Sequence, residues 1–242
     1  MKNILTSIFA FLALNMAIGQ KEYDELRILY ADGNYVKLVK AAEKLTLDDK
    51  TKKDPYPYLW LSKGLYKIHI SGNSDAMFKN AYKESLNALG KFLKFDRSGN
   101  LQKDTDISEY IDMVQGSLVE QIENDLSSNN FRKAFSWVNT YKKVTNNPLG
   151  QMYLEGACKF RNDDKSSALS LWKTADDKLK SITSLDEWTT ADKEMLKHGA
   201  IQTAECYVAI KKLDNAKSIL NKVAQWFEED EAFKEVYDKI VN

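Results

Sequence analysis

Residues 151–175 read QMYLEGACKFRNDDKSSALSLWKTA. Met152, Gly156 and Lys159 recur at spacings of four and three, a polar turn of Asn162, Asp163 and Asp164 follows, and Ala168, Trp172 and Ala175 recur at the same spacings. That periodicity holds one face of each segment inward, so the stretch predicts a helical hairpin. Gly156 and Ala168 are small where the two helices must approach.

Other segments read as looser copies. Residues 24–45 carry a turn of Asp32, Gly33 and Asn34, then Leu38, Ala42 and Leu45, with Leu26 where a small residue is expected. Residues 58–95 have Trp60, Gly64 and Ala76 at the offsets of the best unit, but Asn80 and Lys83 stand at apolar positions. Leu61, Leu65 and Ile68 there form an apolar face that needs a cover. Further on, Asp106 with Glu109 predicts a capping box for a helix over 107–126, and Phe131, Ala134, Val138 and Tyr141 supply its partner. Residues 201–227 place Ala204, Tyr207, Leu213, Ala216, Leu220 and Val223 in register, and Phe233, Val236, Tyr237 and Ile240 predict a closing helix.

This pattern resembles the tetratricopeptide repeat, whose signature runs W-x2-L-G-x2-Y, then A-x3-F and a later A. Ile122 and Gly156 keep the 34-residue period, whereas Leu26 to Gly64 spans 38, Gly64 to Ile122 spans 58 and Gly156 to Ala204 spans 48. The expected fold is therefore all-α, an α-solenoid of about five antiparallel helical hairpins with a C-terminal capping helix and insertions between repeats.

Lysine plus arginine and aspartate plus glutamate both number 35 in 242 residues. A net charge of zero removes the electrostatic reason to expect nucleic acid or an anionic membrane. Residues 1–19, MKNILTSIFAFLALNMAIG, join Lys2 to an apolar run over 4–17 and to small residues at Ala17 and Gly19. This reads as a secretory signal peptide, because the run falls short of the roughly 20 residues of a spanning helix. Residues 20–242 are then the repeat domain of an exported protein, periplasmic or secreted, with no stable membrane span after cleavage.

His69 and His198 lack ligand partners at metal-site spacing, and no phosphate-binding glycine loop or nucleophile elbow occurs, so no metal, cofactor or catalytic residue is expected. Cys158 and Cys206 fall at equivalent places in two hairpins; equivalent helices about 8–10 Å apart exceed the roughly 7 Å a disulfide spans, which favours two buried thiols. The resemblance implies that first-helix residues line a concave surface: Tyr23, Arg27 and Tyr30 in the first unit, Tyr153, Phe160 and Arg161 in the fourth, Glu205 in the fifth. Aromatic rings beside an arginine suit a peptide groove, and equally suit packing against an inserted helix. The expected function is a non-enzymatic interaction scaffold for a peptide or protein partner. Alternatives are a secreted helical enzyme that uses two carboxylates, such as a glycan hydrolase, and a self-associating structural protein that buries Leu61, Leu65 and Ile68 between copies.

Overall fold

The computed structural model describes residues 23–242, so the expected signal peptide lies outside the described residues. Among the described residues the fold is all-α, with packed neighbouring helices arranged along the chain as five hairpins and a closing helix. It divides into two compact units that meet in sequence between Lys103 and Asp104. The first holds α1 (23–31), α2 (Tyr35–Leu47), α3 (Pro55–Ile70) and α4 (Ala81–Phe95). The second holds α5 (Thr105–Ser127), α6 (Phe131–Tyr141), α7 (Leu149–Arg161), α8 (Lys165–Leu179), α9 (Thr190–Ala209), α10 (Leu213–Phe227) and α11 (Glu231–Val241). No described helix is long and apolar enough to cross a membrane.

Four hairpins close with one turn. Each has a residue in the left-handed region, Gly33 (φ 71°), Asn129 (54°), Asp163 (67°) and Lys211 (60°). The next amide reaches back five residues: Asn34 to Leu29 O at 2.9 Å, Asn130 to Asp125 O at 2.7 Å, Asp164 to Lys159 O at 2.9 Å and Lys212 to Tyr207 O at 2.9 Å. This Schellman geometry satisfies carbonyls that the helix end would leave unpaired. Glycine, asparagine and aspartate tolerate the conformation; a lysine does so at a cost of roughly 1 kcal/mol. Lys211→Gly is therefore expected to stabilise the protein by about 0.5–1 kcal/mol, seen as a higher urea midpoint at unchanged slope.

The hairpin α3/α4 is the exception. Gly72 (φ 68°) ends α3, and a capped 3-10 turn, Ala76–Phe78, precedes α4. Ala76 therefore does not open the second helix as its offset suggested. The buried residues of α4 are Ala81, Ser85, Leu86, Ala88, Leu89 and Phe92, and Asn80 stands just before the helix, at the N-cap position, outside that face. Leu65 and Ile68 are buried against Val39, Phe78 and Ala81, with Leu61 partly so, so the cover they needed comes largely from the chain itself.

In the second unit α5 packs on α6, α6 on α7, α7 on α9, and α9 back on α5. These four close a ring, while α8 and α10 lie outside against α7 and α9, and α11 caps α10. The ring exists because α9 begins at Thr190, well before the repeat-like segment at 201. The loop between α8 and α9 adds Leu185 and Trp188 to the core. Helix α5 starts two residues earlier than the sequence suggested, capped by Asp104, whose Oδ1 accepts from the Ile107 amide. In α10 the inward residues are Ala216, Ile219, Leu220, Val223 and Phe227, whereas Leu213 is exposed. Phe233 of α11 is buried, and Val236, Tyr237 and Ile240 pack beside it.

Gly150 and Gly199 let α7 and α9 cross with backbones in contact: a Cβ on Gly150 would lie 2.3 Å from the Leu196 nitrogen, and one on Gly199 2.6 Å from the Gly150 carbonyl oxygen. Gly156 makes room for the second helix of its own hairpin, through one side chain of α8. A Cβ there would meet the indole of Trp172 at 2.2 Å, and that ring is pinned by its Nε1–H donating to Tyr153 O at 3.0 Å.

Candidate functional site

In the first unit, Tyr23, Arg27 and Tyr30 recur along α1 at spacings of four and three, and Tyr56, Trp60 and Lys63 recur along α3 at the same spacings. The two rows meet. Tyr23 stacks on Tyr56 with centroids 5.5 Å apart, and Tyr30 meets Trp60 at 5.6 Å and Tyr35 at 5.7 Å. Lys63 Nζ sits 5.3 Å from the Trp60 ring and 5.8 Å from that of Tyr30, a placement the ring quadrupoles favour. Asp54 anchors the arrangement: as N-cap of α3 its Oδ1 accepts from the Tyr56 amide at 2.9 Å, and its Oδ2 accepts from Tyr23 Oη at 2.6 Å.

The outcome is a ledge of half-buried rings with a cation at either side. Tyr23 is largely enclosed, whereas Tyr30 and Trp60 keep part of their surface. Arg27 is 70% exposed and pairs with Asp24 one turn back at 2.9 Å. An ion pair this exposed contributes little and opens readily. Burial, with Tyr35 nearby, raises the Tyr30 phenol above its ordinary value, so it stays neutral and can donate to an acceptor. The resemblance to tetratricopeptide repeats implied the α1 row; Tyr56, Trp60 and Lys63 repeat its spacing 33 residues on and were not among the expected residues.

The residues expected to line the same face in the second unit are differently placed. Tyr153 is fully enclosed and donates its hydroxyl to Asp176 Oδ1 at 2.6 Å. Phe160 is buried against Trp172, with centroids 5.7 Å apart. Both are enclosed, Phe160 by α8 and Tyr153 between α8 and α9. Arg161 and Glu205 are brought together, Nη2 to Oε2 at 2.7 Å, with the guanidinium 4.6 Å from the Phe131 ring centroid. They bridge α7 to α9 instead of opening a groove.

Cys158 and Cys206 are buried and unbonded. Burial pushes the Cys158 thiol up to about 12 and raises that of Cys206, which suppresses the reactive thiolate. His69 is exposed and stacks on Tyr82 at 4.7 Å. His198 Nε2 lies 2.7 Å from Glu123 Oε1, and this close approach lowers the Glu123 carboxyl from its ordinary value. Beside it the buried Lys197 joins Glu194 at 2.7 Å and Asp230, the cap of α11, at 2.6 Å. Among the described residues no group of three or more His, Cys, Asp or Glu side chains is placed to hold a metal ion.

No protein-family model matches the chain, and comparison with curated proteins gives no match.

Proposed function

We propose that this protein is an exported, non-enzymatic scaffold that binds a peptide or protein segment on the first-helix face of its N-terminal unit. The single observation that carries the reading is the paired α1/α3 ledge, in which half-exposed Tyr30 and Trp60 are flanked by Arg27 and Lys63. Large rigid rings supply contact area at low entropic cost, and the guanidinium fork suits a carboxylate. The segment it takes is thus one with an acidic group beside an apolar or aromatic residue. Export rests on the N-terminal apolar sequence, and the use of a first-helix face rests on the resemblance to tetratricopeptide repeats. The absence of catalytic motifs in the sequence supports a binding role.

The test is crosslinking in the native cell with affinity purification, comparing wild type with Arg27→Glu and Lys63→Glu. Neither change removes a core side chain, so the circular dichroism and melting temperature should hold. The partner should be captured by wild type and lost by both variants, with affinity falling at least tenfold, about 1.4 kcal/mol. Capture of the same proteins by all three would refute the assignment.

A further inference from the structure

The zero net charge of the chain combines two opposite ones. Residues 23–103 carry 15 lysines and arginines against 10 aspartates and glutamates, and residues 104–242 carry 18 against 24. The asymmetry is sharpest in two helices. Helix α3 has Lys63, Lys67 and His69 and no acidic residue, whereas the 23 residues of α5 hold six carboxylates and no basic side chain.

Three of those six carboxylates are used inside their own unit. Asp112 accepts from the Ala191 amide at 3.0 Å, Glu123 lies against His198, and Asp125 pairs with Lys133 at 3.1 Å. The other three, Asp106, Glu109 and Glu120, are exposed. At about 100° per residue they share an arc of about 80° with Met113 and Gly116. Met113 is 45% exposed, and nothing lies within 4 Å of where a Cβ on Gly116 would stand. A glycine inside a helix is destabilising relative to alanine. Nothing within the chain uses the space at Gly116, which leaves the helix backbone open to an approaching surface.

From Glu109 to Glu120 the stripe thus runs acid, methionine, bare backbone, acid, over about 16 Å. The α1/α3 ledge has the matching pattern, with Arg27 and Lys63 flanking the rings of Tyr30 and Trp60. Sign and shape both agree. Carboxylates without a basic neighbour on their helix are drawn to the two cations, a thioether packs well on aromatic rings, and a missing Cβ lets a flat ring approach the helix.

We propose that the ledge of one copy takes the α5 stripe of a second copy, with Glu109 and Glu120 meeting Arg27 and Lys63, and Met113 and Gly116 lying against Tyr30 and Trp60. This rests on the reading of the ledge as a binding surface and names its occupant. The contact joins unlike surfaces, so it continues into longer assemblies unless it closes on itself.

Sedimentation of the purified chain over a range of concentrations tests this. Wild type should associate in low salt and fall back towards monomer in about 0.5 M salt, where exposed charges are screened. An Arg27→Glu, Lys63→Glu variant and a Glu109→Lys, Glu120→Lys variant should each associate roughly tenfold or more weakly. Their mixture should regain a complex, because each keeps the surface that the other lacks. Gly116→Gln introduces a better helix former, so it should melt no lower than wild type, yet associate about fivefold more weakly because its side chain holds the rings away. A wild type that stays monomeric at every concentration, or association indifferent to these substitutions, would overturn the proposal. If wild type stayed monomeric while the crosslinked partner was still lost in Arg27→Glu and Lys63→Glu, the ledge would bind a different protein, and only the identity of its occupant would fall.

Discussion

Gly150→Ala is expected to destabilise the C-terminal unit by about 3 kcal/mol, despite alanine's better helix propensity. In an open helical site the exchange gains up to roughly 1 kcal/mol. At Gly150 the added Cβ lies 2.3 Å from the Leu196 nitrogen, 2.4 Å from the Met195 carbonyl carbon and 2.7 Å from the Leu196 Cα. All three are backbone atoms, so no rotamer change relieves the clash and α9 must move away from α7. Overpacking of this kind costs about 1–3 kcal/mol and sometimes more, which outweighs the propensity gain. The crossing also seats Tyr153, whose Cβ is 2.8 Å from where a Cβ on Gly199 would lie, so separation loosens the largest core cluster. Thermal denaturation should show a drop of roughly 6–12 °C. Gly116→Ala is the control: Gly116 lies within α5 with nothing within 4 Å of an added Cβ, and the same exchange should leave stability unchanged or slightly higher. Equal behaviour of the two variants would show that α7 and α9 do not touch at Gly150.

Asp192→Ala should cost about 2–4 kcal/mol, and Asp192→Asn should change how stability varies with pH. Asp192 is 2% exposed. Its Oδ1 accepts from Tyr141 Oη at 2.8 Å and Thr145 Oγ1 at 2.6 Å, and its Oδ2 accepts from Asn147 Nδ2 at 3.1 Å. Alanine leaves the fully buried Tyr141 hydroxyl without this acceptor and loosens the two half-buried donors, at about 1–3 kcal/mol for an unpaired buried group. Burial holds the Asp192 carboxyl above its ordinary value in spite of the hydrogen bonds from Thr145, Tyr141 and Asn147. A raised carboxyl binds its proton more tightly in the folded chain. Its contribution to stability is full below the unfolded value of about 3.9 and is lost as pH rises through the folded value. Urea midpoints should accordingly place wild type furthest above the Asn variant in acid, with the gap narrowing towards neutral pH. A gap that widens with pH would mean that the site favours the ionised form.

Hairpins α7/α8 and α9/α10 were legible because polar turns and inward small residues are both local signals. So was α11, whose charges and apolar residues separate cleanly by face. The second hairpin was harder to read because Ala76 sits at the right offset for a helix that starts five residues later, at Ala81, after a capped turn. The start of α9 was missed for another reason. Thr189 is a good cap, with its hydroxyl accepting from the Asp192 amide at 3.1 Å, but the role of Asp192 depends on Tyr141, Thr145 and Asn147, which no local pattern connects to it. The same nonlocality removed Tyr153 from the surface, since α9 returns across α7 beside it, while Phe160 is enclosed against Trp172 of α8. On α1 the resemblance to tetratricopeptide repeats implied a shared face for Tyr23, Arg27 and Tyr30, and the rings of that row meet Tyr56 and Trp60 of α3.

The repeated left-handed turn bears on the order in which the C-terminal unit assembles. Its defining hydrogen bond spans five residues, so each hairpin closes with little loss of chain entropy. The bonds from Tyr141, Thr145 and Asn147 to Asp192 span 51, 47 and 45 residues, and those from Thr189 to Gln115 and from the Ala191 amide to Asp112 span 74 and 79. Contacts that distant form after local ones. A clasp formed after the folding transition state would make Asp192→Asn speed unfolding and leave the folding rate nearly unchanged, an outcome that stopped-flow unfolding and refolding in urea would check.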